Sequence, residues 1–183
     1  MAHATSVPVL MHHHVSPSPG MITVSPENFE SQIAWLAADG WTALTMQQYA
    51  GFLAGAPVPR KSILITFDDG WADNHAHALP RLRKANMPAL LFAVADAIDR
   101  DEPFFQERLI AAFRLGRVRV PALLSALADA GHPLSPAPAD TLDGLRHVIA
   151  ALEALAPAQR TQVLAPFAAA MDDGVRQMVT RAE

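Results

Sequence analysis

Two aspartates stand side by side at the end of an apolar run, in Thr66-Phe67-Asp68-Asp69-Gly70. Adjacent carboxylates repel, so the pair is costly unless a cation or a proton separates the roles of its members. One carboxylate holding a metal while its neighbour takes a proton from water would use that arrangement. Gly70 permits the tight turn that aims both side chains into one cavity. The preceding Ser62-Ile-Leu-Ile-Thr-Phe67 reads as a strand, and α/β folds place their active sites at the C-terminal ends of parallel strands. The same residues also suit an Asp-Asp-Gly turn capping the next helix. On spacing alone the two readings weigh about equally.

Histidines offer the other metal-ligating groups. His12, His13 and His14 close an earlier apolar run, Val7 to Met11. Successive side chains of an extended chain point to opposite faces, so either His12 and His14, or His13 alone, face the rim of the site. A solvated turn or a short remnant of a purification tag accounts for the run equally well. His75 and His77 follow two apart, a poor ligand spacing on a helix, and read as surface or packing residues. His132 and His147 carry no signal. Trp71 follows Gly70 at the mouth of the site, where it either stacks on a sugar ring or packs. The sequence contains no cysteine, so any metal must be held by His, Asp, Glu and water. There is no Gly-rich phosphate loop, no Gly-x-Ser-x-Gly elbow and no aromatic-basic patch.

The elements that would position these groups alternate. Ser25 before Pro26 suits an N-cap and first helical position, with Phe29, Ile33, Leu36 and Ala37 at helical spacing and Gly40 to stop the helix. Trp41 to Leu44 reads as a short strand. Thr45 caps a helix with Tyr49, Phe52 and Leu53, closed by Gly55. After the Asp pair comes a helix through Leu79, Leu82 and Ala85, with Pro80 near its start or at a kink. Ala89 to Val94 then reads as a second buried strand. This alternation predicts an α/β fold with parallel strands.

Beyond Ile98 the texture changes to Ala-rich helices. Phe105, Leu109 and Phe113 share a face, and Leu123, Leu124 and Leu127 follow Pro121. Residues 133–139 are a Pro-rich linker. Leu142, Leu145, Val148, Ile149, Leu152 and Leu155 mark an amphipathic helix, and Val163, Leu164, Phe167 and Met171 another. Thr180-Arg-Ala-Glu183 fits the start of one more helix, which reads as a truncation.

Composition bounds the rest. A chain of 183 residues has room for one ordinary domain, and 51% hydrophobic residues suffice for a core. A net charge of −4 gives no electrostatic reason to expect nucleic acid or an anionic membrane as partner. No apolar run is long enough to span a bilayer, and the N-terminus lacks the basic and apolar parts of a secretory signal. A cytoplasmic location is the default expectation.

Several segments, in order, resemble one known family. Val9-Leu-Met-His-His-His-Val-Ser-Pro17, Val24-Ser-Pro-Glu-Asn-Phe-Glu-Ser-Gln32, Leu44-Thr45, Ser62-Ile-Leu-Ile-Thr-Phe-Asp-Asp-Gly-Trp-Ala-Asp-Asn74, Ala78-Leu-Pro80 and Met87-Pro-Ala-Leu-Leu-Phe92 are similar to the polysaccharide deacetylases, carbohydrate esterase family four, or NodB-homology domains. The resemblance covers residues 7–95, about half the chain. It implies the N-terminal part of a deformed (β/α)7 barrel over residues 1–98, a helical insertion over 99–175, and the start of a further segment over 176–183. It also implies a divalent metal, zinc being the usual one, and hydrolysis of acetyl groups on an N-acetylated amino-sugar glycan. Carried over, Asp68 is the general base and Asp69 a metal ligand. His13, Trp71 and Asn74 are then the residues beside the substrate. His12 stands where tyrosine is common in the family.

The family's His-Ser/Thr-x-x-His motif, which completes its metal site, has no counterpart after Asp69, nor do its Arg-x-Pro-Tyr and Leu-x-His segments. One carboxylate does not make a zinc site, since three protein ligands plus water are the usual catalytic set. The expectation is therefore an N-terminal fragment of a deacetylase, inactive by itself and prone to self-association through open strand edges. The rival reading is a non-catalytic relative that binds a glycan or a protein partner. A phosphatase of the haloacid dehalogenase type fits less well, because its aspartates stand two apart.

Overall fold

The computed structural model describes residues 3–17, 22–98, 104–172, 178–180 and 182. It divides into two compact units, residues 1–103 with 176–183, and residues 104–175.

In the first unit, strand β1 (Val9–His12) leads into a two-residue strand β2 (His14–Val15), which pairs in parallel with β3 (Thr23–Val24). Pro19 and Gly20, between the two strands of this small ladder, lie outside the described residues. Helix α1 (Pro26–Ala38) starts where the local chemistry requires. The Ser25 hydroxyl accepts the Asn28 N–H at 3.2 Å, Pro26 sits in the first turn, and Phe29, Ile33 and Leu36 form the buried face. After β4 (Thr42–Ala43), α2 (Met46–Leu53) opens with a reciprocal cap: Thr45 Oγ1 accepts from Gln48 N–H, and Gln48 Oε1 accepts from Thr45 N–H. Tyr49 and Phe52 pack against Leu44, Val58 and Leu64, whereas Leu53 is exposed.

Strand β5 (Ser62–Asp69) is central, and its first six residues are buried. Strand β1 pairs with it in parallel from Val9↔Leu64 to His12↔Phe67. Strands β4 and β6 (Leu90–Ala93) also pair with it in parallel, at Ser62–Ile63 and Thr66–Asp69 respectively. Its odd-numbered side chains, Ile63, Ile65 and Phe67, join Phe29, Ile33, Leu82 and Met87 in one core, while Leu64 faces Leu44 and Val58 on the other side. The buried polar members are satisfied, Ser62 by the Pro59 carbonyl at 2.7 Å and Thr66 by the Leu10 carbonyl at 3.4 Å.

Between β5 and α3 (Leu79–Lys84) the chain forms a single π-helical turn, Asn74–Ala78, and Pro80 falls in the first turn of α3 rather than at a kink. Strand β6 departs from expectation. Its apolar run predicts a strand buried on both faces, yet Leu91, Phe92 and Val94 are 45%, 54% and 40% exposed. Among the described residues β6 pairs with β5 alone, so no neighbour shields its other side.

The second unit is helical. It comprises α4 (Phe105–Arg114), α5 (Val120–Asp129), α6 (Leu142–Glu153), α7 (Pro157–Leu164) and α8 (Ala168–Met171). Leu145, Val148, Ile149 and Leu152 on α6 face Leu109, Leu123 and Leu127 in one apolar core. The Thr141 hydroxyl caps α6 by accepting the Gly144 N–H at 3.1 Å. Asp140 caps α5, accepting the Val120 N–H at 3.0 Å while pairing with Arg119. The apolar stretch Val163–Met171 suggested one helix, but Pro166 lacks the N–H that an α-helix needs, and a 3-10 turn (Ala165–Phe167) separates α7 from α8. The helix expected from Thr180 involves Arg181 and Glu183, which lie outside the described residues. No helix among the described residues is long and apolar enough to cross a membrane.

Candidate active site

Strand β5 delivers Asp68 and Asp69 to its C-terminal end and then turns sharply. The pleat puts Asp68 on the face shared by Leu64 and Thr66. Asp69 and Gly70 both have positive φ, +72° and +86°, so Asp69 does not continue the strand's alternation. Gly70 cannot be replaced freely, because a Cβ there would lie 3.0 Å from Ala93 Cβ and 3.2 Å from Ala93 Cα. The turn is stitched by Gly70 N–H to the Asp68 carbonyl at 2.9 Å, and by Val179 N–H to the Gly70 carbonyl at 2.9 Å.

Each carboxylate has its own neighbour. The Asp68 Oδ2 lies 4.0 Å from His13 Nε2, with both side chains part-exposed. The Asp69 Oδ2 accepts the Trp71 indole N–H at 3.1 Å. Trp71 is 2% exposed, and the His14 ring packs on it with centroids 4.1 Å apart. His14 in turn bonds through Nδ1 to Asp73 Oδ2 at 2.7 Å, and the other Asp73 oxygen accepts the Val15 N–H at 3.4 Å. A continuous run of contacts therefore links Asp73, His14, Trp71 and Asp69.

The three histidines part company. Alternation left His12 with His14, or His13 alone, facing the rim; the chain breaks at His13, between β1 and β2, and the pairing of His14 with Thr23 re-aims it. His12 turns into the core, with its ring 5.2 Å from Phe29 and 5.4 Å from Phe67 between centroids. Its Nε2 is buried without a hydrogen-bond partner. Burial, and secondarily the neighbouring His13, push its pKa below the ordinary imidazole value, so the neutral ring is favoured. His13 is the histidine that stays beside Asp68.

Of the residues expected beside a substrate, Trp71 lies against Asp69 but is buried, and Asn74 lies apart from the carboxylate pair. Trp71 offers no open ring face for a sugar, because its side chain is buried and bonded to Asp69. Asn74 is 5% exposed in the π-helical turn and lines a cavity whose wall includes none of Asp68, Asp69 or His13. His75 lines that same cavity, and the His77 carbonyl accepts from Arg81 at 2.9 Å.

Does the set fit a divalent metal? Among the described residues no three His, Cys, Asp or Glu side chains converge as a metal cage. Asp69 brings one carboxylate, already engaged at Oδ2, and Asp68 and His13 do not complete a ligand set with it. The described residues thus supply part of such a site and not the three protein ligands it needs.

Sequence reading missed the Asp73–His14 pair. The partners lie 59 residues apart, and no local spacing announces a contact of that kind. The one available signal was an acidic residue in the turn after the Asp pair.

Residues 55–135 match the polysaccharide deacetylase family. YxkH of Bacillus subtilis (strain 168), assigned by name to the polysaccharide deacetylases, is 34% identical over 104 residues, covering 56% of this chain and 37% of that protein. The poly-β-1,6-N-acetyl-D-glucosamine N-deacetylase of Staphylococcus epidermidis is 32% identical over 76 residues, covering 42% of this chain and 26% of its own length. Among solved structures, IcaB from Ammonifex degensii superposes with a TM-score of 0.50 at 34% identity, over 55% of this chain and 44% of that one. The chain thus spans between about a quarter and less than half of the length of these relatives.

Proposed function

Starting from this likeness to the polysaccharide deacetylases, we propose that the chain carries the carboxylate pair of an enzyme that removes N-acetyl groups from an amino-sugar glycan. The observation that carries the reading is the placement of Asp68 and Asp69 together at the C-terminal end of the central strand, with His13 beside Asp68. The substrate class follows from the N-deacetylase activity for which the staphylococcal relative is named.

In this reading Asp68 is the general base. Its carboxylate takes a proton from a water molecule as the water oxygen bonds to the acetyl carbonyl carbon. Collapse of the tetrahedral adduct breaks the carbon–nitrogen bond, and the amine leaves with a proton, giving acetate and a free amino sugar. His13, 4.0 Å from Asp68, keeps a polarisable donor next to that base. Asp69 is held at one oxygen by Trp71 and presents the other to the site. A metal, as the family uses, would draw on Asp69 and on ligands beyond those described. The family's His-Ser/Thr-x-x-His motif has no counterpart after Asp69 in the sequence, and on this reading the 183-residue chain is inactive by itself.

The test is acetate release from a β-1,6-linked N-acetylglucosamine oligomer with zinc present. It compares this chain with a form extended to carry two further histidine ligands. Turnover confined to the extended form, and reduced roughly 10²-fold or more by Asp68→Asn, supports the reading. Turnover that survives Asp68→Asn overturns it. Saturable oligomer binding with no acetate released by either form would identify a non-catalytic, glycan-binding relative instead.

A further inference from the structure

With Trp71 buried, the aromatic side chain nearest the carboxylate pair in the sheet register is Phe92. It stands directly across from Asp68 in the parallel pairing of β5 with β6. Facing residues on neighbouring strands point to the same side of a sheet, about 5 Å apart. The packing agrees on which side this is. Leu90, two residues before Phe92, packs with Leu64, whose face Asp68 shares. On the other flank of Asp68 lies His13, 4.0 Å away. His13, Asp68 and Phe92 therefore form one row across the ends of three strands. Met11, Thr66 and Leu90 form the row beneath it.

Phe92 is 54% exposed, unlike Phe29, Phe67 and Trp71, which are buried. Among the described residues no aromatic ring or guanidinium packs on its ring. Met11, 62% exposed, extends the apolar floor on the same side. The base of the proposed reaction thus has an open aromatic face one strand away. Such a face is electron-rich and attracts polarised C–H groups. A β-linked glucosamine ring offers them, because its C1, C3 and C5 hydrogens all stand axially on one side. Its acetamido group is equatorial and leaves the ring edge outward. Covalent geometry puts the acetyl carbonyl carbon about 4–5 Å from the ring centre. That reach is close to the spacing between strands, so a ring lying on Phe92 can carry its acetyl group to Asp68.

We propose that Phe92 is the platform on which the amino-sugar ring lies, and that it selects β-linked over α-linked glycans. The selection follows from the anomeric centre. An α-linkage puts an axial oxygen on the face that must lie against Phe92 and lifts that face away. Phe92 thereby takes the stacking role that the sequence suggested for Trp71. This inference rests on the reading of Asp68 as the base of a deacetylase.

The probe is a trimer of β-1,6-linked N-acetylglucosamine, titrated into the 183-residue chain and followed by saturation-transfer NMR. Its control is the α-1,6-linked isomer. The unmodified chain is expected to bind the β-linked trimer at least about fivefold more tightly than the isomer, with transfer strongest to the C1, C3 and C5 hydrogens of one ring. Phe92→Leu keeps an apolar side chain at a position already half exposed, so its urea midpoint should match that of the unmodified chain. It should weaken the β-linked trimer at least about fivefold and erase the preference between isomers. Phe92→Tyr, which keeps the ring face, should restore both. Leu91→Ala, on the opposite face of β6, should leave binding as it is. The proposal is overturned if the unmodified chain does not bind the β-linked trimer, if the two isomers bind equally, or if Phe92→Leu retains full affinity. Failure of the deacetylase reading looks different: binding that depends on Phe92, with no acetate released by the extended form, would keep the platform and remove the reaction.

Discussion

Trp71 donates its indole N–H to Asp69 Oδ2 at 3.1 Å from a ring that is almost fully buried. The bond joins a residue on one side of the Gly70 turn to a carboxylate on the other, and it fixes which Asp69 oxygen remains for the site. Hydrogen bonds to a charged acceptor are worth more than neutral ones, about 1.5–3 kcal/mol. Trp71→Phe keeps an aromatic ring against His14 while deleting the donor. We expect it to lower the unfolding free energy by about 2 kcal/mol in urea titrations. A loss below about 0.5 kcal/mol would show that the bond contributes little to the turn.

Behind Trp71, His14 and Asp73 form the shortest imidazole–carboxylate contact among the described residues, 2.7 Å, with side chains 15% and 19% exposed. At that burial the pair is only partly screened by solvent, unlike an exposed ion pair. A double-mutant cycle with His14→Ala and Asp73→Ala should give a coupling energy of about 1 kcal/mol. The same cycle on His13 and Asp68, 4.0 Å apart and more exposed, should give less. Equal couplings would contradict the geometry.

What could be read from the sequence was local. Ser25 with Pro26, and Thr45 with Gln48, announce helix starts because a cap involves residues three apart and little else. The unbroken apolar run before Asp68 announces a covered strand for a similar reason, and it put the carboxylate pair at the strand end. The misreadings all depend on partners remote in sequence. Alternation left either His12 with His14, or His13 alone, facing the site, and could not choose between them; pairing with Thr23 re-aims His14 toward Asp73. The run Ala89–Val94 has the same apolar character whether or not anything covers it, so its composition could not reveal that Phe92 is exposed. The π-helical turn that buries Asn74 has no composition of its own.

Gly70 tests the turn itself. Its φ of +86° disfavours any side chain, and Ala93 stands within 3.0 Å of where a Cβ would sit. Gly40 has a similar φ, +78°, with open space around it. Gly40→Ala therefore carries only the backbone penalty, about 1 kcal/mol, while Gly70→Ala adds a clash that β6 must yield to. Chemical denaturation should show Gly70→Ala costing about 1–2 kcal/mol more than Gly40→Ala. Equal costs would mean that Ala93 moves away freely.

The uncovered side of β6 predicts association. Leu91, Phe92 and Val94 are exposed on a strand that pairs with β5 alone among the described residues. Apolar residues on an unshielded edge are a template for contact with another chain. The 183-residue chain should therefore show a mass that rises with concentration in light scattering after gel filtration. Phe92→Lys should suppress that rise by placing a charge on the strand, with little loss of stability because the side chain is already 54% exposed. A concentration-independent monomer for the unmodified chain would remove the basis of this expectation.

His12 makes stability depend on pH in a direction that can be worked out. Burial first, and His13 second, lower its pKa in the folded chain from the ordinary 6.5, the value it regains on unfolding. Below 6.5 and above the folded value, the unfolded chain binds the proton and the folded chain does not, so acidification favours unfolding. Stability from this group is therefore intact above pH 6.5 and falls as the pH drops below it, levelling off beneath the folded value. His12→Phe removes the titrating ring and keeps an aromatic partner for Phe29 and Phe67, whose rings lie 5.2 and 5.4 Å away between centroids. It also removes the buried Nε2 that lacks a partner. Urea midpoints measured between pH 5 and 8 should fall less steeply on the acid side for His12→Phe than for the unmodified chain, with the variant at least as stable near pH 5. Parallel profiles would show that His12 takes its proton as readily in the folded chain as in the unfolded one.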